Sequence, residues 1–279
     1  MNAFADPSFC FSLVLSLLGV EFVISSVEFL SMGHLFRPGE DLAWKANDQP
    51  HNPRLSRIAR VFGSANGTRF TLLAQLLLAI AAPLACWLKW STLFLFPLVL
   101  ALALVRLWHR VRFAAAACGA DAMSGTILIT GSLWCVNPDD PVLGKICLCF
   151  LGFQGCLAYV GAAWAKLRSA HWRSGQHLVS VYESCRARLP RLGRCLRRSP
   201  ALAWVITWLV ILLEVFLPVA FLGGPQVMLG FAIAAIVFHF AIAVMMGYHG
   251  FFWTFTGIQI PMIYLAIVWS RFAFNGPTS

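Results

Sequence analysis

Eight long apolar runs constrain the fold of this chain more than any other feature of its sequence. They cover residues 9–32, 70–88, 91–108, 114–135, 142–167, 201–221, 226–248 and 251–271. A helix that crosses a bilayer needs about 20 mostly apolar residues, and the chain is 59% hydrophobic but only 11% charged. We therefore expect an all-α polytopic membrane bundle of about eight transmembrane helices. Residues 1–279 are expected to form a single transmembrane domain with short interfacial amphipathic helices.

The run 114–135 is the weakest of the eight, because it is rich in Ala, Gly and Ser. Its glycines, Gly119, Gly125 and Gly131, favour close packing against other helices over contact with lipid. Nine cysteines lie mostly inside apolar runs and show no metal-binding spacing. The sequence therefore predicts neither a disulfide framework nor a metal site.

Lysine and arginine are unevenly distributed, which predicts an orientation. If the N-terminus lies outside the cytoplasm, the segments 33–69, 106–113 and 168–200 fall on one side and hold most of the basic residues. The opposite side keeps only Lys89, Lys145 and Arg271. The positive-inside rule then predicts that both termini are extracytoplasmic, in a membrane that we take to be a bacterial plasma membrane.

Two of the basic segments are amphipathic. Residues 53–62 place Leu55, Ile58 and Phe62 on one helical face with arginines away from it, and residues 172–198 follow a similar pattern. We expect anionic lipid headgroups as partners of these interfacial basic loops, 33–69 and 168–200, with simple solvated anchoring as the alternative. The net charge of +10 does not indicate nucleic acid, because the positive residues lie in short loops between apolar spans.

Ionisable side chains inside the apolar runs are costly and so suggest function. Glu21 and Glu28 are seven residues apart and share one helical face, which is expected to look into the bundle. Asp121 follows Gly119, and His239 lies in the middle of its run. Glu214 precedes Pro218 by four residues, so the proline leaves the Glu214 carbonyl without its helical donor. Each of these side chains also has a purely structural interpretation, an ion pair or hydrogen bond that fixes two helices.

Lys166 has two interpretations from its position alone. It ends its run on the basic side, where its stem can lie along apolar surface while the ammonium reaches the headgroups. Alternatively, an amine held away from water can act as a base.

The residues around Lys166 favour the second of these interpretations. The segment "YVGAAWAKLRSAHWRSG" resembles the pattern Y-x-x-A-G-x-x-K-L-x-x-x-x-W-x-x-G of the HTTM superfamily, the membrane domain shared with vitamin K-dependent gamma-carboxylase. The matching residues are Tyr159, Ala162, Lys166, Leu167, Trp172 and Gly175, while Ala163 stands where the family often has Gly.

Further segments resemble the family in the same order, over about residues 100–265. They are "CGADAMSG" at 118–125, Gln154 ahead of the tyrosine, "LLEVFLP" at 212–218 and "VFHFAIAVMM" at 237–246. The resemblance implies that Lys166 takes a proton from a reduced quinone, which then reacts with oxygen. His239 and Glu214 also match family positions. Together with the cost of ionisable groups in apolar runs, this makes Lys166, His239 and a carboxylate, Glu214 or Asp121, the candidate catalytic residues. Tyr159, Gln154, Glu21, Glu28 and Trp172 are the candidate substrate-binding residues, and Trp172 with its basic neighbours is expected to seat the helix end at the membrane surface.

These observations lead to an expected membrane enzyme that performs Lys/His/carboxylate acid–base chemistry on a lipophilic quinol or isoprenoid. Carboxylation of a propeptide-bearing protein is not expected, since the vertebrate carboxylase holds its peptide with a large extramembrane domain. A carboxylase-like reaction needs reduced quinone and oxygen, whereas an isoprenoid cyclisation, with aromatic faces stabilising carbocations, needs no cofactor. The alternative from another class is a non-catalytic membrane maturation, export or immunity protein. A DoxX-like redox subunit would be shorter, and no internal repeat supports a transporter.

Overall fold

The computed structural model describes residues 2–36, 60–113, 119–183 and 190–275. Over this part of the chain the secondary structure is helical, without strands. We number the α-helices α1 Pro7–Ser31, α2 Ala65–Trp87, α3 Thr92–Arg112, α4 Gly119–Trp134, α5 Pro141–Arg168, α6 Ala170–Arg173, α7 Gln176–Glu183, α8 Pro190–Arg198, α9 Pro200–Phe216, α10 Pro225–Met246 and α11 His249–Asn275. Short 3₁₀ turns occupy Asn2–Ala5, Gly33–Phe36 and Leu217–Gly223.

Seven helical segments of the described residues are long and apolar enough to cross a membrane. They are α1, α2, α3, α5, α9 with its 3₁₀ extension to Gly223, α10 and α11 up to Ala273. Each coincides with one of the predicted runs. The expected all-α polytopic membrane bundle is therefore confirmed.

The weakest predicted run, 114–135, contains the shorter helix α4. Its 16 residues extend about 24 Å at 1.5 Å per residue, less than the roughly 30 Å hydrocarbon core of a bilayer. Residues 114–118 at its start lie outside the described residues. Most of its side chains are buried, including Ile127, Leu128 and Trp134, so α4 packs inside protein as the glycines predicted.

The chain forms two compact units. The central unit comprises Leu15–Pro138, and the terminal unit comprises Met1–Val14 together with Asp139–Ser279. The expected single domain over residues 1–279 stays a prediction. Because each unit has its own buried core, each is described separately below.

In the central unit, α1 and α2 approach closely. A Cβ atom added to Gly19 would lie 2.6 Å from the carbonyl oxygen of Ala79. The Ser64 side chain accepts a hydrogen bond from the backbone N–H of Gly67 at 3.1 Å and so caps α2, as polar residues commonly do at helix starts. The loop predicted at 106–113 is wrong in part, because α3 continues to Arg112 and buries His109 and Arg112.

In the terminal unit, glycines allow α5 and α11 to pack backbone to backbone. A Cβ atom added to Gly152 would lie 2.8 Å from the carbonyl oxygen of Pro261. A left-handed glycine, Gly247 with φ 77°, ends α10 ahead of α11. Pro218 interrupts the helix that carries Glu214, since α9 ends at Phe216 and continues as a 3₁₀ turn.

The basic segment at 168–200 contains three short helices, α6, α7 and α8. Its Tyr182 and Leu196 form a small buried cluster with Ala203 of α9, and the Tyr182 hydroxyl donates to Met245 Sδ of α10 at 3.1 Å. Burial raises the pKa of Tyr182. The predicted amphipathic helix at 53–62 lies mainly outside the described residues. The described part that begins at residue 60 is helical over 60–63.

Candidate functional site

One face of α5 carries the residues of the candidate site. Tyr159, Ala163 and Lys166 follow at spacings of four and three residues, so they lie along one side of the helix. Tyr159 and Ala163 are buried, and Gly155, one turn before Tyr159, lets α11 approach. The packing of α5 on α11 therefore fixes where these side chains project.

Lys166 forms an ion pair with Glu214 of α9. Its Nζ lies 2.8 Å from both carboxylate oxygens. The Lys166 side chain is 15% exposed and that of Glu214 is 5% exposed. The ammonium also lies 5.1 Å from the ring centroid of Trp172, within the range of a cation–π contact. Lys166 is thus held by protein groups, which argues against the interpretation that it only reaches for headgroups.

A second set of polar groups lies on α5, α10 and α11. The Tyr159 hydroxyl is 2.9 Å from His239 Nε2, and Gln259 Nε2 donates to the same hydroxyl oxygen at 2.8 Å. Gln259 Nε2 also donates to the Phe255 carbonyl at 3.1 Å. All three side chains are buried, so three helices are joined by one hydrogen-bonded chain inside the terminal unit.

Aromatic rings surround His239. The imidazole stacks on Phe255 with centroids 4.7 Å apart and an interplanar angle of 20°, and Phe251 stacks on Phe255 at 5.3 Å. Tyr159 and Lys166 are seven residues apart on α5, so the hydrogen-bonded chain and the ion pair lie along the same face of that helix, about two turns apart. Together they form the candidate site of the terminal unit.

The central unit has a polar cluster of its own. Arg106 Nη2 lies 2.6 Å from Asp121 Oδ1 and 3.3 Å from Glu21 Oε1. The guanidinium also lies 4.8 Å from the ring centroid of Phe22. One arginine of α3 thus pairs with carboxylates of α1 and α4, which is the structural interpretation that the sequence left open for both acids.

A second hydrogen-bond network lies in the central unit. His109 Nδ1 lies 2.8 Å from Gln75 Oε1, and His109 Nε2 lies 3.0 Å from the Thr71 hydroxyl. The Gln75 amide donates to the Ser26 hydroxyl at 2.9 Å. Helices α1, α2 and α3 are therefore joined by buried polar contacts, as expected when apolar surface alone gives little specificity inside a membrane.

The structure brings some of the predicted site residues together. Lys166 contacts Glu214 and Trp172, and Tyr159 contacts His239. Asp121 and Glu21 meet at Arg106 in the central unit. Of the remaining two, Gln154 is half-buried and takes no part in the described hydrogen bonds, and Glu28 is exposed. The expectation that Glu21 and Glu28 both face inward holds for Glu21 only, since Glu28 lies near the end of α1.

Sequence reasoning missed Gln259 and underrated Arg106. Gln259 is 1% exposed and occurs in the apolar stretch "GIQIPM", where an uncharged polar residue was not counted as a signal. Arg106 lies in both the predicted run 91–108 and the basic segment 106–113, and from the sequence it contributed only to the predicted orientation. A search for amides and hydroxyls inside apolar runs, in addition to charges, would have found Gln259 and Gln75.

The fold and these buried polar sites define an integral membrane protein built from a helical bundle. No family model, curated protein or solved structure matches the chain. In the described residues, no group of three or more His, Cys, Asp and Glu side chains is arranged to hold a metal ion.

Proposed function

We propose that the protein is a membrane-embedded enzyme that moves protons on a lipophilic substrate at the terminal-unit site. The observation that carries this proposal is the ion pair of half-buried Lys166 with buried Glu214, 2.8 Å apart, on the same face of α5 as the Tyr159–His239–Gln259 chain. Titratable groups held in apolar surroundings next to a specific charge partner cluster at functional sites, which supports an acid–base role for this part of the terminal unit. A substrate soluble in the bilayer reaches such a site without crossing water.

The chemistry follows from the proton shared by the pair. Transfer of a proton from the Lys166 ammonium to Glu214 leaves a neutral amine and a carboxylic acid, which removes two charges from apolar surroundings. The neutral amine then takes a proton from an O–H or C–H group of the substrate. The new N–H bond forms as the substrate bond breaks, and the resulting substrate anion is held beside the ammonium.

The HTTM resemblance supports this assignment, because its lysine, tyrosine and tryptophan positions coincide with Lys166, Tyr159 and Trp172. A quinol or an isoprenoid is the substrate class that the resemblance favours. A carboxylase-like reaction uses reduced quinone together with oxygen, whereas an isoprenoid cyclisation needs no co-reactant. Asp121 pairs with Arg106 in the central unit, so we assign the proton transfer to Lys166 and Glu214.

A second candidate function is a non-catalytic maturation, export or immunity protein. The same ion pair favours it, because a buried salt bridge between α5 and α9 also fixes two helices. The two functions differ in what happens when the pair is replaced by apolar side chains of similar size. Packing survives this replacement, whereas proton transfer does not.

Mass spectrometry of lipid and peptide extracts tests the proposal. Cells express wild type, Lys166→Met, Glu214→Gln or the double variant Lys166→Met with Glu214→Leu, at equal membrane abundance. Lys145→Met is the matched control, since Lys145 is an exposed lysine of the same helix. We expect a product present with wild type and Lys145→Met and absent from the other three. Identical profiles in all strains, with every protein inserted, would discard the enzyme.

We further propose that the protein lies in a bacterial plasma membrane with both termini extracytoplasmic. This orientation requires α4 to act as an eighth crossing segment, because the seven long spans alone would place the two termini on opposite sides. The Arg-rich helix α8 and its neighbours then contact anionic headgroups at the cytoplasmic face. Cys195 of α8 is exposed and supplies the test. In a variant that keeps only this cysteine, an impermeant maleimide should label inverted vesicles and not intact cells. Labelling of intact cells alone would reverse the orientation.

A further inference from the structure

The hydrogen-bonded chain of the terminal unit has a defined direction. Gln259 Nε2 lies 3.1 Å from the Phe255 carbonyl oxygen, and a backbone carbonyl only accepts. The side-chain atom at that position must therefore be the amide nitrogen. Its other hydrogen points to Tyr159 Oη at 2.8 Å, so the tyrosine oxygen accepts from Gln259.

The tyrosine then determines the state of His239. Tyr159 has a single hydroxyl proton, and His239 Nε2 lies 2.9 Å from its oxygen. When Tyr159 donates, Nε2 accepts and a neutral imidazole carries its proton on Nδ1. If His239 instead donated from Nε2, the Tyr159 O–H group and the His239 Nδ1 lone pair would both lack partners. That arrangement leaves two groups unpaired, whereas donation by Tyr159 leaves only one.

This direction leaves one buried N–H group without an acceptor. His239 Nδ1 is buried and has no hydrogen-bond partner among the described residues, and His239 is 4% exposed. Gln259 Oε1, in a residue 1% exposed, is likewise unpartnered within the described part of the chain. Buried donors and acceptors are nearly always paired, so each such group calls for an explanation.

The surroundings of His239 restrict what can pair with it. Phe251 and Phe255 lie roughly parallel to the imidazole, and these apolar neighbours favour a partner molecule that is itself largely apolar. An N–H group only donates, so the partner must present an accepting atom to Nδ1. An apolar molecule with one accepting oxygen fits both conditions.

We propose that the His239 Nδ1–H group is a binding site for the oxygen of a lipophilic carbonyl or alcohol, and that Gln259 is a positioning residue that keeps His239 in this donor form. The identity of the ligand as the enzyme's substrate rests on the proposed function, whereas the state of His239 does not.

Nitrogen NMR tests the positioning role of Gln259. Protein with ¹⁵N-labelled histidine is reconstituted in lipid vesicles, and the His239 signals are assigned by their loss in His239→Phe. We expect a neutral ring protonated at Nδ1. In Gln259→Glu the new carboxylate accepts from Tyr159, the tyrosine oxygen accepts from Nε2–H, and the proton moves to Nε2. The control Gln226→Glu, an exposed position of α10, should leave the signals unchanged.

A wild-type ring protonated at Nε2, or no change in Gln259→Glu, overturns the positioning role. A second variant covers the case in which the new carboxylate disturbs folding. Tyr159→Phe keeps the ring and removes only the hydroxyl that His239 contacts, so we expect a mixture of both neutral forms. A pure Nδ1–H form in Tyr159→Phe would equally contradict the role of the chain.

Ligand binding is tested with three probes of one carbon skeleton, undecan-2-one, undecan-2-ol and undecane. With ¹³C-carbonyl ketone, the C=O stretching band should move to lower wavenumber with wild-type vesicles and stay at its lipid value with His239→Phe. The alcohol should shift the Nδ1 signal, and undecane should not. If neither oxygen-bearing probe gives a His239-dependent change, the binding site is refuted. Probe binding without a wild-type lipid product would instead refute only the proposed reaction.

Discussion

Replacement of Lys166 by methionine removes one charge of the Lys166–Glu214 pair and nearly preserves the length of the side chain. At 2.8 Å and an effective dielectric constant of about 20, the two charges attract each other by about 6 kcal/mol. This attraction opposes the cost of burying both groups. With Lys166 gone, the Glu214 carboxylate, 5% exposed, loses its counter-charge. We therefore expect Lys166→Met to lower the free energy of unfolding by about 3–5 kcal/mol.

The double variant separates charge from packing. Replacing Lys166 by Met and Glu214 by Leu together removes both charges and fills a similar volume, so most of the lost stability should return. Unfolding in mixed micelles with increasing SDS fraction, followed by tryptophan fluorescence, measures both variants. Lys145→Met is the control, since Lys145 is exposed on the same helix and its loss should change stability by less than about 0.5 kcal/mol.

The reasoning is refuted if Lys166→Met and the double variant unfold at the same SDS fraction. Equal midpoints would mean that Glu214 does not carry an uncompensated buried charge when Lys166 is absent. The catalytic proposal would then lose its main support, because the pair would not lie in surroundings that make proton sharing favourable.

Three further substitutions test the packing around the two polar sites. Arg106→Leu leaves two carboxylates without their shared counter-charge and should destabilise the protein by about 3 kcal/mol in the same SDS assay, whereas Arg110→Leu, at an exposed position, should be nearly neutral. Gly152→Ala presses a methyl group on the α11 backbone and should lower the free energy of unfolding by about 1–3 kcal/mol. Its control, Gly161→Ala, meets no atom within 4 Å and should be neutral or slightly stabilising. Equal effects of the two substitutions would contradict the close approach of α5 and α11. Gly175→Ala imposes a side chain at φ 80° and should cost at least about 1 kcal/mol, measurable as an earlier unfolding midpoint.

Much of the fold follows from the sequence because apolar run length is a local property. The ends of α5, predicted at 142 and 167, lie within one residue of Pro141 and Arg168. The error at 106–113 has a physical reason. Arginines at a helix end resemble a loop in composition, yet Arg106 and Arg112 are held inside by partners on other helices.

The candidate site was predictable only in part. Lys166, Glu214 and His239 could be selected because charged or imidazole side chains are costly in a span. Which of these side chains contact each other depends on which helices pack together, and a local sequence pattern does not indicate that. Asp121 pairs with Arg106 in the central unit, and Gln259 was missed because an amide is a weaker signal than a charge.

The Arg106 cluster also bears on how the chain enters the membrane during synthesis. Glu21 emerges from the ribosome long before Arg106, and Asp121 follows last. Until then, α1 carries a buried acid that costs about 3 kcal/mol in lipid. It is therefore energetically favourable for α1 to stay beside the insertion machinery until α3 and α4 have been synthesised. Biogenesis of the central unit is in this sense a joint event of several helices, with the arginine as the group that completes it.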